Sequence, residues 1–322
     1  MKFDLEHDWQ VNMSTPRKNL GEKTKLHLFL ILSIIFLLTG LTGHEPWRPL
    51  ESNTISIILD IVQNNQVIIP MAASDNLITQ PPLYSYVAAA FGKLFSPILE
   101  LHDAARLSNI FWMALTLISL GLITRELWGQ GFGRQAGLLL IGSVGLILNI
   151  HSLIPEIATL LGYTMSLYAF SLYFRRPFRA SMVFGFGSGI AFLSGGITPL
   201  LVIFLSSIFL LVFNNWRNKR YFIFIGISST ITILVISPWL YAFHYLEPEL
   251  FISWLKTTQL SPKLSFNYYL QGILWFTWPA LPLAIWLVAK DYKLISTQKK
   301  LQIPLTFLIV LFIILSVTAE PD

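Results

Sequence analysis

The segment Gly43-His44-Glu45-Pro46-Trp47-Arg48-Pro49-Leu50-Glu51 places a carboxylate, a guanidinium and an indole within a few residues of one another. A carboxylate so placed can take a proton from an acceptor hydroxyl or amine, while an arginine steadies a phosphate. The same composition also suits a plain interfacial belt, with Trp47 and Arg48 at the headgroup level and Glu51 solvated. A second acid, Glu156, follows Pro155 in a short connection between apolar blocks. An acid that close to hydrocarbon is costly unless it faces a water-filled cavity or a partner; the alternative is an exposed turn residue. His151 stands nearby, either as a proton carrier or as an interfacial side chain. His244, with Glu247 and Glu249, forms a weak candidate for a divalent ion or an acceptor contact.

The elements that must position these residues are membrane helices. Of the 322 residues 54% are hydrophobic and 12% charged, about half the charge of an ordinary soluble domain. The apolar residues run in blocks of roughly 17–24, the length that crosses a hydrocarbon core of about 30 Å. Residues 26–42 and 301–318 contain no charged side chain. A soluble helix of that length would show a polar face. Spanning helices are predicted near 26–42, 104–124, 135–150, 153–174, 180–195, 197–214, 221–243, 267–289 and 301–318. The expected fold is an all-α polytopic bundle of about nine spans.

Residues 81–97 open with two prolines and carry Lys93, and charge counting decides their placement. With this block outside the count of spans, Arg125, Arg134, Arg175, Arg176, Arg179, Arg217, Lys219, Arg220, Lys290, Lys293, Lys299 and Lys300 share one side with the basic N-terminal tail. Letting it span would reverse that arrangement. The block is therefore expected to lie along the outer interface as a juxtamembrane helix. The expected organisation is a cytoplasmic tail over 1–25 and a transmembrane module over 26–322, in the bacterial inner membrane. Its long outer loops are 43–103 and 244–266. The first apolar block reads as a retained anchor rather than a cleaved signal.

The net charge of +5 is accounted for by these loops, which argues against a nucleic-acid partner. The absence of cysteine excludes disulfides and thiolate metal sites. No phosphate-cradling glycine loop, zincin motif or nucleophile elbow is present. Gly185-Phe186-Gly187-Ser188-Gly189 lies inside a span and fits close helix packing.

In order along the chain, seven segments resemble one family. Trp47-Arg48-Pro49-Leu50-Glu51 is similar to W-x-P-D-E, and Gln80-Pro81-Pro82-Leu83-Tyr84 to E-K-P-P-L-Y. Asp103-Ala104-Ala105-Arg106-Leu107 is similar to the A-A-R-L that opens the second span. Pro155-Glu156 and Leu193-Ser194-Gly195-Gly196 stand where an acid and T-K-G are found. Ser237-Pro238-Trp239 and the run from Trp275 to Pro282 resemble later helices. The family is the bacterial GT-C glycosyltransferases related to the lipid A aminoarabinose transferase and the protein O-mannosyltransferases.

That resemblance implies a polyprenyl-phosphate sugar donor and a lipid or protein acceptor on the outer face. It implies Glu51 and Glu156 as catalytic acids, with Arg48, Arg106, Gln80 and Tyr84 near the donor phosphate. Three positions depart from the pattern: the aspartate of P-D-E falls on Leu50, the lysine of E-K on Gln80 and that of T-K-G on Gly196. Glu51 would then replace the aspartate, and Arg48 and Arg106 the lysines. The chain ends at Asp322 just beyond the last apolar block, where members of the family usually continue; a truncated gene, a split protein or a partial chain would each look like this. A non-catalytic member that binds polyprenyl lipid or a partner membrane protein is the second reading. A transporter is disfavoured because the spans are almost free of charge.

Overall fold

The protein is described by a computed structural model covering residues 21–47, 50–64, 68, 80–257 and 272–318. Among these residues every regular element is helical. Thirteen helices are labelled in chain order. α1 is Glu22–Leu38, α2 Leu50–Gln63, α3 Leu83–Phe95, α4 Leu101–Trp128, α5 Phe132–Ile141, α6 Val144–Asn149 and α7 Glu156–Tyr173. α8 is Pro177–Gly195, α9 Ile197–Phe209, α10 Lys219–Leu246, α11 Pro248–Thr257, α12 Ala280–Asp291 and α13 Lys299–Thr318.

Two of the described helices are 28 residues long, α4 and α10, and with α13 they are long and apolar enough to cross a membrane by length and composition. α7 and α8 reach 18 and 19 residues but carry many glycines, serines and threonines, for a packing reason. A Cβ on Gly162 of α7 would come within 2.7 Å of Ala191 and of the Gly187 carbonyl on α8. On α8, Gly185 and Gly189 face α10 instead, where an added Cβ would lie 2.5 Å from Ile231 and Val235. Between them Ser188 hydrogen-bonds Thr232 at 2.6 Å. The glycine-rich run therefore serves two close helix contacts at once, α7 through Gly187 and α10 through Gly185 and Gly189.

Two expected spans are interrupted. The block 135–150 divides at Gly142-Ser143, because Ser143 adopts an extended conformation and its hydroxyl bonds back to the Leu140 carbonyl. The Val144 amide then donates to Trp278 O. The block 267–289 is helical at 272–276 and again from Ala280, parted by the turn that carries Pro279. α3 is helical over 13 residues, or about 20 Å, too short for a hydrocarbon core of about 30 Å.

The two ends of the bundle differ. At one end gather Lys25, Arg125, Arg134, Arg175 and Lys299. Arg175 pairs with Glu126, the Lys299 ammonium lies 4.2 Å from the Phe174 ring centre, and Trp216 donates to Gln302. Beneath them is an aromatic core of Phe170, Tyr173, Phe184, Trp216, Tyr221 and Phe224. The opposite end is packed by Ile58, Tyr84, Trp112, Ile150 and Leu153, with Phe192, Trp239 and Trp254 beside them. There the candidate chemical residues collect.

Candidate functional site

α4 opens with Asp103 and Arg106, three residues apart and so on one helix face. The Arg106 side chain is wholly buried. Its Nη1 donates to Asp103 Oδ1 and to the His44 carbonyl at 2.9 and 2.8 Å. Its Nη2 donates to Glu51 Oε2 at 2.9 Å. Asp103 in turn accepts the Gly43 N–H at 2.9 Å. Glu51, in the first turn of α2, is also fully buried and has both oxygens engaged. Oε2 accepts the Trp47 amide at 2.7 Å and Oε1 the Leu153 amide at 2.6 Å. Four segments meet in this clamp: the loop after α1, the start of α2, the start of α4 and the loop before α7.

Burial alone would push the Glu51 carboxyl up. The hydrogen bond from Arg106, the two amide donors and the Arg106 charge outweigh it and hold the group below its ordinary 4.5. Glu51 is thus a fixed anion. Glu51 and Arg106, expected as a catalytic carboxylate and a phosphate contact, are here paired with each other. Both are buried, Glu51 held by Arg106 and two backbone amides, and Arg106 by Glu51, Asp103 and the His44 carbonyl. Breaking such a buried pair costs roughly 3–5 kcal/mol.

Tyr84, expected near the donor phosphate, is buried on α3, and its hydroxyl donates to Asn109 Oδ1 at 2.7 Å. Asn109 then donates to the carbonyls of Ile150 and Ser152, both at 2.9 Å. Burial raises the phenol's pKa far above its usual range. The Tyr84–Asn109 pair and Glu51 together hold the 150–155 loop from two sides, and that loop delivers Glu156.

Glu156 is the exposed member of the set. It occupies the first turn of α7, where the helix N-terminus favours negative charge. Half-buried Gln80 points its amide at Glu156 Oε1, 3.4 Å away. Gly196, at φ +76°, turns the chain between α8 and α9, and an added Cβ would lie in ordinary contact with Pro81, at 3.8 Å. On its neighbour Gly195 an added Cβ would lie 2.7 Å from the Thr159 hydroxyl. Segments 80–82, 155–159 and 194–196 therefore converge on one patch. In the first turn of α3, burial raises the pKa of Tyr86 to about 12.

His151 does not join this patch. Its Nε2 lies 3.2 Å from the Phe36 carbonyl, and burial keeps its pKa low. His244 is exposed near the end of α10, its ring against Phe251. Among the described residues no group of three or more acids or histidines is placed to hold a metal ion. His244, Glu247 and Glu249, the weak candidate for a divalent ion, do not form such a group. Arg48 lies outside the described residues. Sequence reasoning missed Asn109 and the carboxylate of Asp103 as parts of the site, although Asp103, Arg106 and Asn109 follow one another at intervals of three on a single helix face.

The convergence of these segments is what a shared family core would produce. The sequence profile of a family described as dolichyl-phosphate-mannose-protein mannosyltransferase matches residues 79–241, half of the chain. This chain belongs to that family. The match includes the patch, the Asp103–Arg106 half of the clamp and most of the α7–α8–α10 packing of this mannosyltransferase-family protein. No curated protein sequence matches the chain.

Two solved structures share its GT-C fold, both of ArnT from Cupriavidus metallidurans. The one bound to undecaprenyl phosphate superposes with a TM-score of 0.79 at 14% identity, covering 94% of this chain and 57% of that one. The apo structure gives 0.74 at 15% identity, covering 92% and 56%. At such identity the likeness is one of fold. The chain spans a little over half the length of these relatives.

Proposed function

We propose that this chain is the membrane module of a GT-C glycosyltransferase that takes a polyprenyl-phosphate sugar and passes the sugar to a lipid or protein acceptor. The observation that carries this reading is the convergence of Gln80, Glu156 and the Gly195-Gly196 turn beside a buried clamp that holds their loops. Glu156 is the group suited to act as base. It would take the proton from an acceptor hydroxyl or amine as that atom bonds to the anomeric carbon, and the polyprenyl phosphate would leave with the bonding electron pair. Gln80 is placed to donate to a phosphate oxygen. Glu51 and Arg106 act as positioning residues, because they fix the loop that carries Glu156 without touching substrate.

The basic end of the bundle is assigned to the cytoplasm by the positive-inside rule, with the N-terminus there and the patch on the periplasmic side of the inner membrane. The undecaprenyl phosphate bound to ArnT, whose fold is similar, supports a polyprenyl-phosphate ligand for this chain. The test is transfer from an undecaprenyl-phosphate sugar in nanodiscs. Glu156→Gln is expected to lower turnover by roughly 10²–10⁴-fold with donor binding retained. Unchanged turnover in that variant would remove Glu156 as base.

One observation favours a second reading. Gln80 and Gly196 occupy the two positions where the resembling motifs carry lysine, so a phosphate at the patch would meet amide donors in place of full charges. A module that binds polyprenyl phosphate without transferring a sugar, or that supports a partner membrane protein, fits that substitution. Donor binding without turnover in the wild type would decide for it.

A further inference from the structure

A cavity of about 720 Å³ lies at the other end of the molecule, between α1 and α5. Its walls include Leu28, Leu32, Phe132 and Leu138, all strongly exposed, while Lys25 and Arg134 sit at its mouth. Among the described residues that line it there is no acidic side chain. The groove is kept open by a close contact deeper in. Gly137 of α5 meets the Phe29 ring of α1, where an added Cβ would lie 2.6 Å from Cζ. The two helices touch there, so the space nearer the basic end stays unfilled.

The arrangement is layered. Lys25 and Leu32 are two turns apart on α1, about 10 Å along the helix axis. That separation matches the step from a phosphate at the headgroup level to the first methylenes of an acyl chain. Lys25 and Arg134 each also interact within the chain, so a phosphate would join cations that are already positioned. We propose that this groove binds an anionic glycerophospholipid of the leaflet at the basic end, with its phosphate between Lys25 and Arg134 and its acyl chains along Leu28, Leu32 and Leu138.

Charge complementarity favours this occupant. A zwitterionic lipid offers the same chains but brings its own cation to a basic mouth, and free phosphate leaves the leucine wall uncovered. The site is separate from the Gln80–Glu156 patch and stands whether or not that patch transfers sugar.

The test uses the full chain, purified in detergent with phosphatidylglycerol or phosphatidylcholine added, and reads bound lipid by native mass spectrometry. Wild type is expected to retain one phosphatidylglycerol and no phosphatidylcholine. Lys25→Gln with Arg134→Gln should weaken retention by roughly tenfold or more, and the charge-preserving Lys25→Arg with Arg134→Lys should restore it. A photoactivatable phosphatidylglycerol on wild type, which needs no variant to fold, should label residues 25–32 and 130–138. Equal retention of phosphatidylcholine, undiminished binding in the Gln variant or labelling elsewhere would overturn the proposal. Displacement by an equal concentration of inorganic phosphate or of undecaprenyl phosphate would overturn the assignment to a glycerophospholipid.

Discussion

Replacing Glu51 by Gln removes one negative charge and little volume, so its effect isolates the electrostatics of the clamp. In the wild type, Glu51 accepts from Arg106 Nη2 and from the amides of Trp47 and Leu153. A glutamine offers one carbonyl oxygen, and its NH2 must point at one of these donors. Either Arg106 or the Leu153 amide then faces a donor while buried. Arg106 would keep Asp103 and the His44 carbonyl, but among the described residues its Nε already has no acceptor. Loss of one member of a buried pair costs roughly 3–5 kcal/mol, a factor of about 10²–10³ or more in the folding equilibrium.

The sign of the pH dependence follows from the lowered pKa of Glu51. A carboxylate depressed in the folded state contributes stability that is present above its unfolded value of 4.5 and is lost as pH falls through the folded value. Thermal unfolding of detergent-solubilised protein should therefore show a wild type that weakens below about pH 4.5. Glu51→Gln should be less stable at pH 7 and should show a smaller acid dependence. The double change Glu51→Leu with Arg106→Met should be less harmful than either single change, because it leaves no buried charge from that pair unmatched. A Glu51→Gln protein as stable as wild type at pH 7 would refute the clamp.

Three further outcomes follow from the packing and the patch. Tyr84→Phe should cost about 1–3 kcal/mol in unfolding measurements by leaving the Asn109 carbonyl oxygen buried without its donor. It should also increase proteolysis or hydrogen exchange in the 150–155 loop. Gly187→Leu should abolish monodisperse expression, since a Cβ alone would lie 2.8 Å from that of Met165. Gln80→Lys, which places a cation where the resembling motif has one, should tighten undecaprenyl-phosphate binding by roughly two- to fivefold. Isothermal or fluorescence titration in nanodiscs would measure that gain.

How far the sequence carried the interpretation depended on the range of each interaction. Gly185, Gly187 and Gly189 announced close packing because small residues inside an apolar run have little other use, and the structure gives them two partner helices. The brevity of α3 was legible from its flanking prolines and from the charge pattern of the loops around it. The partner of Glu51 was not legible. Arg106 is 55 positions away, and nothing local distinguishes a carboxylate held in a clamp from one exposed to substrate. The buried hydrogen bond of Tyr84 was hidden for the same reason, since its partner Asn109 is 25 positions away. The pairing of Gln80 with Glu156 spans 76 positions, and only the family motifs hinted that these segments meet. The break at Gly142-Ser143 was hidden because hydropathy averages over the few residues whose backbone decides it.

The most direct test of the account is titration of undecaprenyl phosphate into the full chain in nanodiscs, with the site located by photo-crosslinking. The account predicts saturable binding, labelling of residues 80–86 and 155–159, and tighter binding on Gln80→Lys. Absence of saturable binding, or labelling confined to the basic end of the bundle, would contradict it.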